Sequence, residues 1–343
     1  MQAVMLTGHG GNEVVEVQTR ALPQRQPGEV LVRMQAATFN RVDLYMRDSG
    51  AGITHQLPQV MGLDGAGVVE ALDAQETRLR VGQAVVVYPG LTCGRCEFCQ
   101  RGDEVLCTSM RLLGEHRDGT FAQYLSVPAA NLLPSPKHLS FAQAAALGVN
   151  HLTAWRMLKT QAQLTPGETV LIFGIGGGVS LAGLQLAHAM GARVIVTSRH
   201  ADKLQRAQAM GAEAVIDSSR HDVVAEVMAL TQGRGVDVVF ENVGEAVWPS
   251  ALRAMVRGGR LVTCGATSGD QPSADLRRVF IRQLRIFGST LGNLSEFHDL
   301  LRFVAEHQIC PVIERSYALD EVHQALDHLA SGQQFGKLAL DLG

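Results

Sequence analysis

The stretch Val170-Leu-Ile-Phe-Gly-Ile-Gly-Gly-Gly-Val179 decides how the chain is read, together with Ser180-Leu-Ala-Gly-Leu-Gln-Leu-Ala-His-Ala-Met190 and Gly191 behind it. Four apolar residues without alternation predict a strand buried on both faces, as in parallel sheets. The strand runs into Gly174, Gly176, Gly177 and Gly178, then into a helical apolar pattern that Gly191 can cap. Strand, glycine turn and helix together make a seat for a pyrophosphate. Glycines let the backbone approach the phosphates, and the free N–H groups and dipole of the helix favour their charge. These glycines and Val179 are the expected contacts. The spacing Gly174-x-x-Gly177-x-x-Ser180 puts a serine where a third glycine is usual; Ser180 fits there or caps the helix.

Downstream, apolar runs recur near 193–197, 214–216, 236–240, 260–264 and 284–288, with helical segments or short loops between most of them. Ala189-Met-Gly-Ala192 and Ala209-Met-Gly-Ala212 repeat one ending, with glycine as helix stop each time. Six strands in this rhythm predict an α/β fold with a doubly wound parallel sheet and a ligand at the carboxyl ends of its strands. The first ~130 residues differ: short apolar runs at 29–33, 65–70, 82–88 and 121–127, broken by Gly and Pro, predict a β-rich region of the partly open barrel kind. The tail adds helical segments at 296–306 and 319–330 and a last strand at 337–341 that pairs back into one of the sheets.

The 343 residues are 46% hydrophobic and 18% charged, as in a globular protein, with room for two domains. A net charge of −3 gives no footprint for nucleic acid or an anionic membrane. No apolar run approaches the ~20 residues a bilayer needs, and no secretory signal is visible at the start. The expected location is cytoplasmic.

At the end of the second strand, Val194-Ile-Val-Thr-Ser-Arg199-His-Ala-Asp-Lys203 carries no acid to hold a ribose 2′-OH. Ser198, Arg199 and Lys203 suit a 2′-phosphate instead, Arg199 through its planar fork, so NADP(H) is the expected cofactor. Asn242, Gly244, Cys264 and Gly265 fall at the carboxyl ends of later strands, where further cofactor contacts belong. Cys93, Cys96, Cys99 and Cys107 place four thiols within fifteen residues. In a chain of cytosolic character that spacing predicts a closed, tetrahedral, structural Zn²⁺ site, one per chain. Cys264 and Cys310 stand apart as ordinary buried residues. His9, His55, His116 and His151 are scattered, without paired ligand spacing.

Together these features resemble the medium-chain dehydrogenase/reductase superfamily, its zinc alcohol dehydrogenase and quinone oxidoreductase group, over essentially the whole chain. The resemblance rests on Gly62-Leu-Asp-Gly-Ala-Gly67, the four-cysteine lobe, Asp118-Gly-Thr-Phe-Ala-Gln-Tyr124, the glycine turn and Phe335-Gly-Lys337. It implies a GroES-like catalytic domain from residues 1–148, completed by 289–343, and a six-stranded Rossmann domain over 149–288. It also implies a cleft between the domains where nicotinamide meets substrate, Thr153 near the nicotinamide, and a homodimer formed at the sheet edge near Ile286–Thr290.

Family members that oxidise alcohols hold a second, catalytic zinc; the matching positions here are Asn40, Leu63 and Val149, with Asp64 in place of the family glutamate. Leu63 and Val149 cannot ligate a metal. Asn-x-x-Asp with Gly-x-Asp-x-x-Gly resembles instead the quinone and enoyl reductase branch, which works without that metal. The expected reaction is hydride transfer from NADPH to a quinone or an α,β-unsaturated carbonyl, whose developing oxyanion is met by hydrogen-bond donors. Asn40 and Arg41 are candidate donors, Tyr45 a candidate proton source and Asp43 their orienter. Asn40 and Asp43 equally suit the cap of a helix beginning near residue 43. A zinc-type alcohol or aldehyde dehydrogenase with atypical ligands, and a non-enzymatic NADPH-binding protein, are the alternatives.

Overall fold

In the computed structural model, which describes residues 1–52 and 55–343, the strand Thr169–Ile172 is buried at every position. It pairs in parallel with Arg193–Ser198 on one side and Val236–Glu241 on the other. Ala214–Asp217 extends the sheet beyond the first neighbour; Met255–Thr263 and Arg285–Gly288 extend it beyond the second, all parallel. The chain leaves the central strand for one side and returns to the other, so the glycine turn stands at the switch point of the sheet. Gly191 and Gly211, with φ of +78° and +102°, end the two helices of the repeated motif in the left-handed conformation that glycine adopts without strain. Phe173, Ile195, Leu171, Val239 and Leu261 pack the core of this unit, Thr153–Leu291. Burying such a side chain contributes about 1.5–3 kcal/mol.

The other unit, Met1–Leu152 with Gly292–Gly343, is organised by the strand Glu29–Thr38. Asp64–Ala71, Tyr124–Pro128 and Lys337–Asp341 all pair antiparallel to it. Ala84–Val87 and Leu132–Pro134 continue the sheet on one side and Ile313–Tyr317 on the other. The C-terminal strand therefore closes onto residues near the start of the chain. Three strands were not foreseen: Gln2–Leu6, with its apolar run Ala3-Val-Met-Leu6, and the more polar Val15–Thr19 and Ile313–Tyr317. Glu314, Arg315 and Ser316 are exposed, and an edge strand of that kind carries little hydrophobic pattern. The tail helix at 319–330 is a 3₁₀ turn, Leu319–Glu321, followed by the helix Val322–Ser331. No helix among the described residues is long and apolar enough to cross a membrane.

Candidate functional site

The glycine turn is built for close approach. Gly174 and Gly176 have φ of +65° and +123°, and Gly177 caps the helix Gly178–Ala189. Ser180 is fully buried, and its Oγ donates back to the Gly174 carbonyl at 3.0 Å, bracing the turn from inside. Close packing of this helix on the sheet falls to Gly183, which the sequence reading passed over: a Cβ there would meet the Phe240 ring at 2.9 Å. At the end of the strand Arg193–Ser198, Ser198 is buried and Arg199 exposed, with no carboxylate at the strand terminus. A Cβ on Gly176 would lie 2.7 Å from Lys203 Cδ and 3.3 Å from its Nζ, so the Lys203 side chain crosses the turn itself. The neighbouring Asp217 accepts from Ser219 and pairs with Arg220 at 3.4 Å.

Two further strand ends meet beside the turn. The buried Glu241 carboxylate accepts from the N–H groups of Val243 (2.5 Å) and Gly244 (2.6 Å) and from Thr263 Oγ1 (2.8 Å). Gly244, with φ of +96°, lets the 242–244 and 266–269 loops touch, and a Cβ on Gly265 would sit 3.0 Å from the Asn242 carbonyl oxygen. Asn242 Nδ2 reaches toward Ser180 Oγ at 3.5 Å. Burial and the charge of Glu241 push the Cys264 thiol up to about 12, so it packs without ionising. Thr153 is buried at the start of this unit. Cys310, expected inside, is exposed, because it follows the solvent-facing end of the Leu294–Glu306 helix.

In the other unit the four lobe cysteines converge, their sulfurs all within 4.8 Å of one another. Cys96 and Cys99 sulfurs are 3.5 Å apart and Cys93 and Cys99 sulfurs 3.9 Å. Tetrahedral Zn–S bonds of about 2.3 Å require sulfur separations of about 3.8 Å, so the donor set fits zinc. Backbone N–H groups of Cys93 and Ser109 point at Cys107 Sγ, and that of Cys96 at Cys93 Sγ, each at 3.4 Å, which favours thiolates. Such bonds draw Cys96 down to about 6, while burial and the neighbouring thiols push Cys99 up to about 12. Four thiolates therefore coexist there only around a cation. The short pair Gly90–Leu91 with Arg111–Leu112 closes the base of the lobe. Asn293 Oδ1 holds its far side through the Val105 N–H at 2.8 Å.

The positions matched to a catalytic metal look different. Asn40 Oδ1 accepts from Lys337 Nζ at 2.6 Å and from Asn150 Nδ2 at 2.9 Å. Asn40 Nδ2 donates to Asp64 Oδ2 at 2.9 Å and, more weakly, to the Thr38 carbonyl at 3.4 Å. Asp64 Oδ2 also accepts from Thr38 Oγ1 (2.9 Å) and Lys337 Nζ (3.2 Å), whose third hydrogen goes to the Phe39 carbonyl at 2.5 Å. Lys337 is 4% exposed and Asp64 0%. Burial pulls the lysine below its ordinary range, and Asp64 opposes the shift. Leu63 and Val149 bring no lone pair. Among the described residues, the four cysteines are the only converging group of three or more metal-type side chains, and the donor set around Asn40 does not fit a catalytic zinc.

The remaining candidates divide by helix face. Arg41–Asp48 is a helix with Asn40 as N-cap, and Asp43 Oδ2 accepts the Asn40 N–H at 2.6 Å, so the capping reading of this pair holds. Asp43 faces inward; burial above all raises its carboxyl to about 7. Arg41 and Tyr45, one turn apart, lie on the exposed face, Tyr45 40% exposed, because Asp43, Leu44 and Met46 take the core side. They do not join Asn40. Lys337, Asn150 and Thr38 complete the network and were not foreseen, since no local pattern joins residues 38, 40, 64, 150 and 337. The histidines are less scattered in space than in sequence: the His9 and His55 rings lie 5.0 Å apart.

Residues 26–137 match the alcohol dehydrogenase GroES-like domain family, and residues 178–306 the zinc-binding dehydrogenase family. A zinc-type alcohol dehydrogenase-like protein of Schizosaccharomyces pombe is 31% identical, over 94% of this chain and 93% of its own. An NAD-dependent alcohol dehydrogenase of Saccharolobus solfataricus is 29% identical over 99% of both. A solved structure of an NAD-dependent alcohol dehydrogenase superposes with a TM-score of 0.96 at 41% identity, covering 100% of each chain. The structure of AibC superposes at 0.92 with 30% identity, over 99% of this chain and 95% of that one. With its GroES-like and Rossmann sheets, its glycine turn and its cysteine lobe, the chain belongs to the zinc-type alcohol dehydrogenase-like group of the medium-chain dehydrogenase/reductase superfamily, and it is an oxidoreductase.

Proposed function

We propose that the protein is an NADP(H)-dependent reductase of a quinone or an α,β-unsaturated carbonyl, working without a catalytic zinc. The observation that carries this reading is the Lys337 ammonium, bonded to Asn40 Oδ1 and Asp64 Oδ2 at the positions where relatives would need metal ligands. Bound NADPH supplies the hydride. Asn40, fixed by four partners, offers one amide hydrogen held only by the long bond to Thr38, and that hydrogen is free to turn to a developing oxyanion. Lys337 holds the opposite side of the amide, so the donor is oriented in advance.

NADP(H) is favoured over NAD(H) by the missing acid at the strand end, by exposed Arg199 and by Lys203 across the turn. A homodimer is proposed at the edge strand Arg285–Gly288, where Ile286 is 40% exposed and Phe280 on the preceding helix 68%. A dimer mass by light scattering is expected, and a monomer at all concentrations would remove the proposal. The second reading, an alcohol dehydrogenase using NAD, is favoured by the names of the relatives.

One sample separates the two readings. NADPH and NADH oxidation are measured across quinones, enals, enoyl thioesters and aldehydes, with zinc content determined in parallel. About one zinc per chain and NADPH-dependent reduction of quinone or enal is the expected result. Two zincs per chain with NAD-linked alcohol oxidation would replace this reading by the second.

A further inference from the structure

Glu115 has no part in the network described so far, yet the fold goes to some length to seat it. Residues Leu113 and Arg117 bridge across a tight turn, closed by the Gly114 N–H on the Arg117 carbonyl at 2.8 Å. The backbone of this turn lies directly on Gly62, the residue before Leu63-Asp64. A Cβ on Gly114 would be 2.5 Å from the Gly62 carbonyl oxygen, and one on Gly119 2.2 Å from it. A Cβ on Gly62 itself would fall within 2.1 Å of the Phe121 ring. Three glycines are thus needed for one contact, which seats Glu115, 4% exposed, directly after the glycine that rests on Gly62 and near enough to Asp43 for its charge to act there.

The carboxylate there accepts no hydrogen bond from any described residue. Its nearest ion-pair partner is His116 Nδ1 at 4.0 Å. That nitrogen already accepts the Leu112 N–H at 3.1 Å, so it has no proton to give. The ionisable groups around the turn are Asp43 on the Arg41–Asp48 helix, whose carboxyl is raised in part by the charges of Glu115 and Asp64, and His116, which feels Arg111 and His55. Lys337 acts on Asp43 from the C-terminal strand in the opposite sense. Buried carboxylates are ordinarily hydrogen-bonded or paired; among the described residues this one has only the long His116 contact. Meanwhile Lys337 has no uncommitted proton, and Arg41 and Tyr45 face away.

We infer that Glu115 is the proton donor of the reduction proposed above, an inference that rests on that reading. Hydride, with its two electrons, adds to the β-carbon of an α,β-unsaturated carbonyl, leaving an enolate and an oxidised nicotinamide. The Glu115 O–H bond breaks and a C–H bond forms at the α-carbon, giving the saturated carbonyl. The carboxylate left behind regains its proton from water. Burial, which raises Glu115 to about 7, keeps a protonated fraction at neutral pH, as a general acid requires.

The test uses the zinc-loaded full chain, with Glu115→Gln and Glu115→Asp. With NADPH and an enal or enone, E115Q is expected to lower kcat about a hundredfold or more, with NADPH affinity and thermal midpoint little changed. E115D should recover part of the loss. Wild-type kcat should fall above pH 7, and E115Q should lack that limb. A kcat within about threefold of wild type, with the same pH profile, overturns the inference. Infrared difference titration reads the same group without turnover. A carboxyl band that titrates near pH 7, disappears in E115Q and shifts when a saturated ketone binds supports the role; an unshifted or absent band refutes it. If the wild-type protein reduces no acceptor in the panel, the reductase reading falls by itself, and the infrared result still decides whether Glu115 is a protonated group at a ligand site.

Discussion

The cysteine lobe and the Asn40 network occupy the same unit and are opposites in construction. The lobe draws all four cysteines from fifteen residues, so its chemistry is local and its sulfurs are spaced to hold an ion. The network draws Thr38, Asn40, Asp64, Asn150 and Lys337 from almost the full length of the chain, and completes itself with its own ammonium. A local chelate can be announced by spacing alone. A dispersed polar cluster exists only after the C-terminal strand has paired with Glu29–Thr38. The difference also separates two ways of balancing charge: the lobe offers four sulfurs to an external cation, while beside Asn40 the Lys337 ammonium is built in.

The largest expected effect lies in the lobe. Stripping zinc, or Cys96→Ser, removes a metal whose binding is coupled to local folding by roughly 10 kcal/mol. The expected outcome is proteolytic cleavage within residues 93–107 and loss of about one zinc per chain. A metal-free lobe that stayed protected would erase the contrast with the network.

A smaller loss is expected in the network. Lys337→Met leaves Asp64 buried without its counter-charge, which costs about 3–5 kcal/mol, measurable by denaturant unfolding. Adding Asp64→Asn should recover much of it, since the stranded charge is removed as well. If the single change costs under about 1 kcal/mol, the pair is not the internal counterpart of an ion.

The smallest effect is a pH slope. The Asp43 carboxyl is raised from 3.8 to about 7 in the folded protein, so between those values the folded state keeps a proton that the unfolded chain has lost. Its stabilising contribution is full below pH 4 and is lost as pH rises through 7. Glu115, raised from 4.5 to about 7, acts in the same sense, while His116, lowered by burial, acts oppositely. Carboxylates lowered by partners, such as Asp237 and Glu213, lose their contribution only in acid, outside this window. Thermal midpoints from pH 5 to 8 should therefore decline less in Asp43→Asn than in the wild type; parallel curves would mean that Asp43 is ionised throughout.

Much of this was legible in the chain. The buried strands of the parallel sheet carry apolar runs because both faces are covered, and the glycine turn carries its own punctuation. Polar edge strands were not legible, nor was the helix face of Arg41 and Tyr45, because exposure depends on what packs against the helix. Glu115 left a faint signal, a carboxylate between Gly114 and Gly119, whose meaning requires knowing that both glycines rest on Gly62.

The sequence by itself determined the family, the two sheets, the glycine turn and the clustered cysteines, because each is written in short-range spacing or periodicity. The tertiary structure alone decided that Asn40 is held by Lys337 and Asn150, that Ser180 braces the turn while Gly183 allows the close packing, and that Glu115 is buried with only a 4.0 Å contact to His116 among the described residues. Those facts depend on which side chains meet after distant segments pair, and no local pattern records such a meeting.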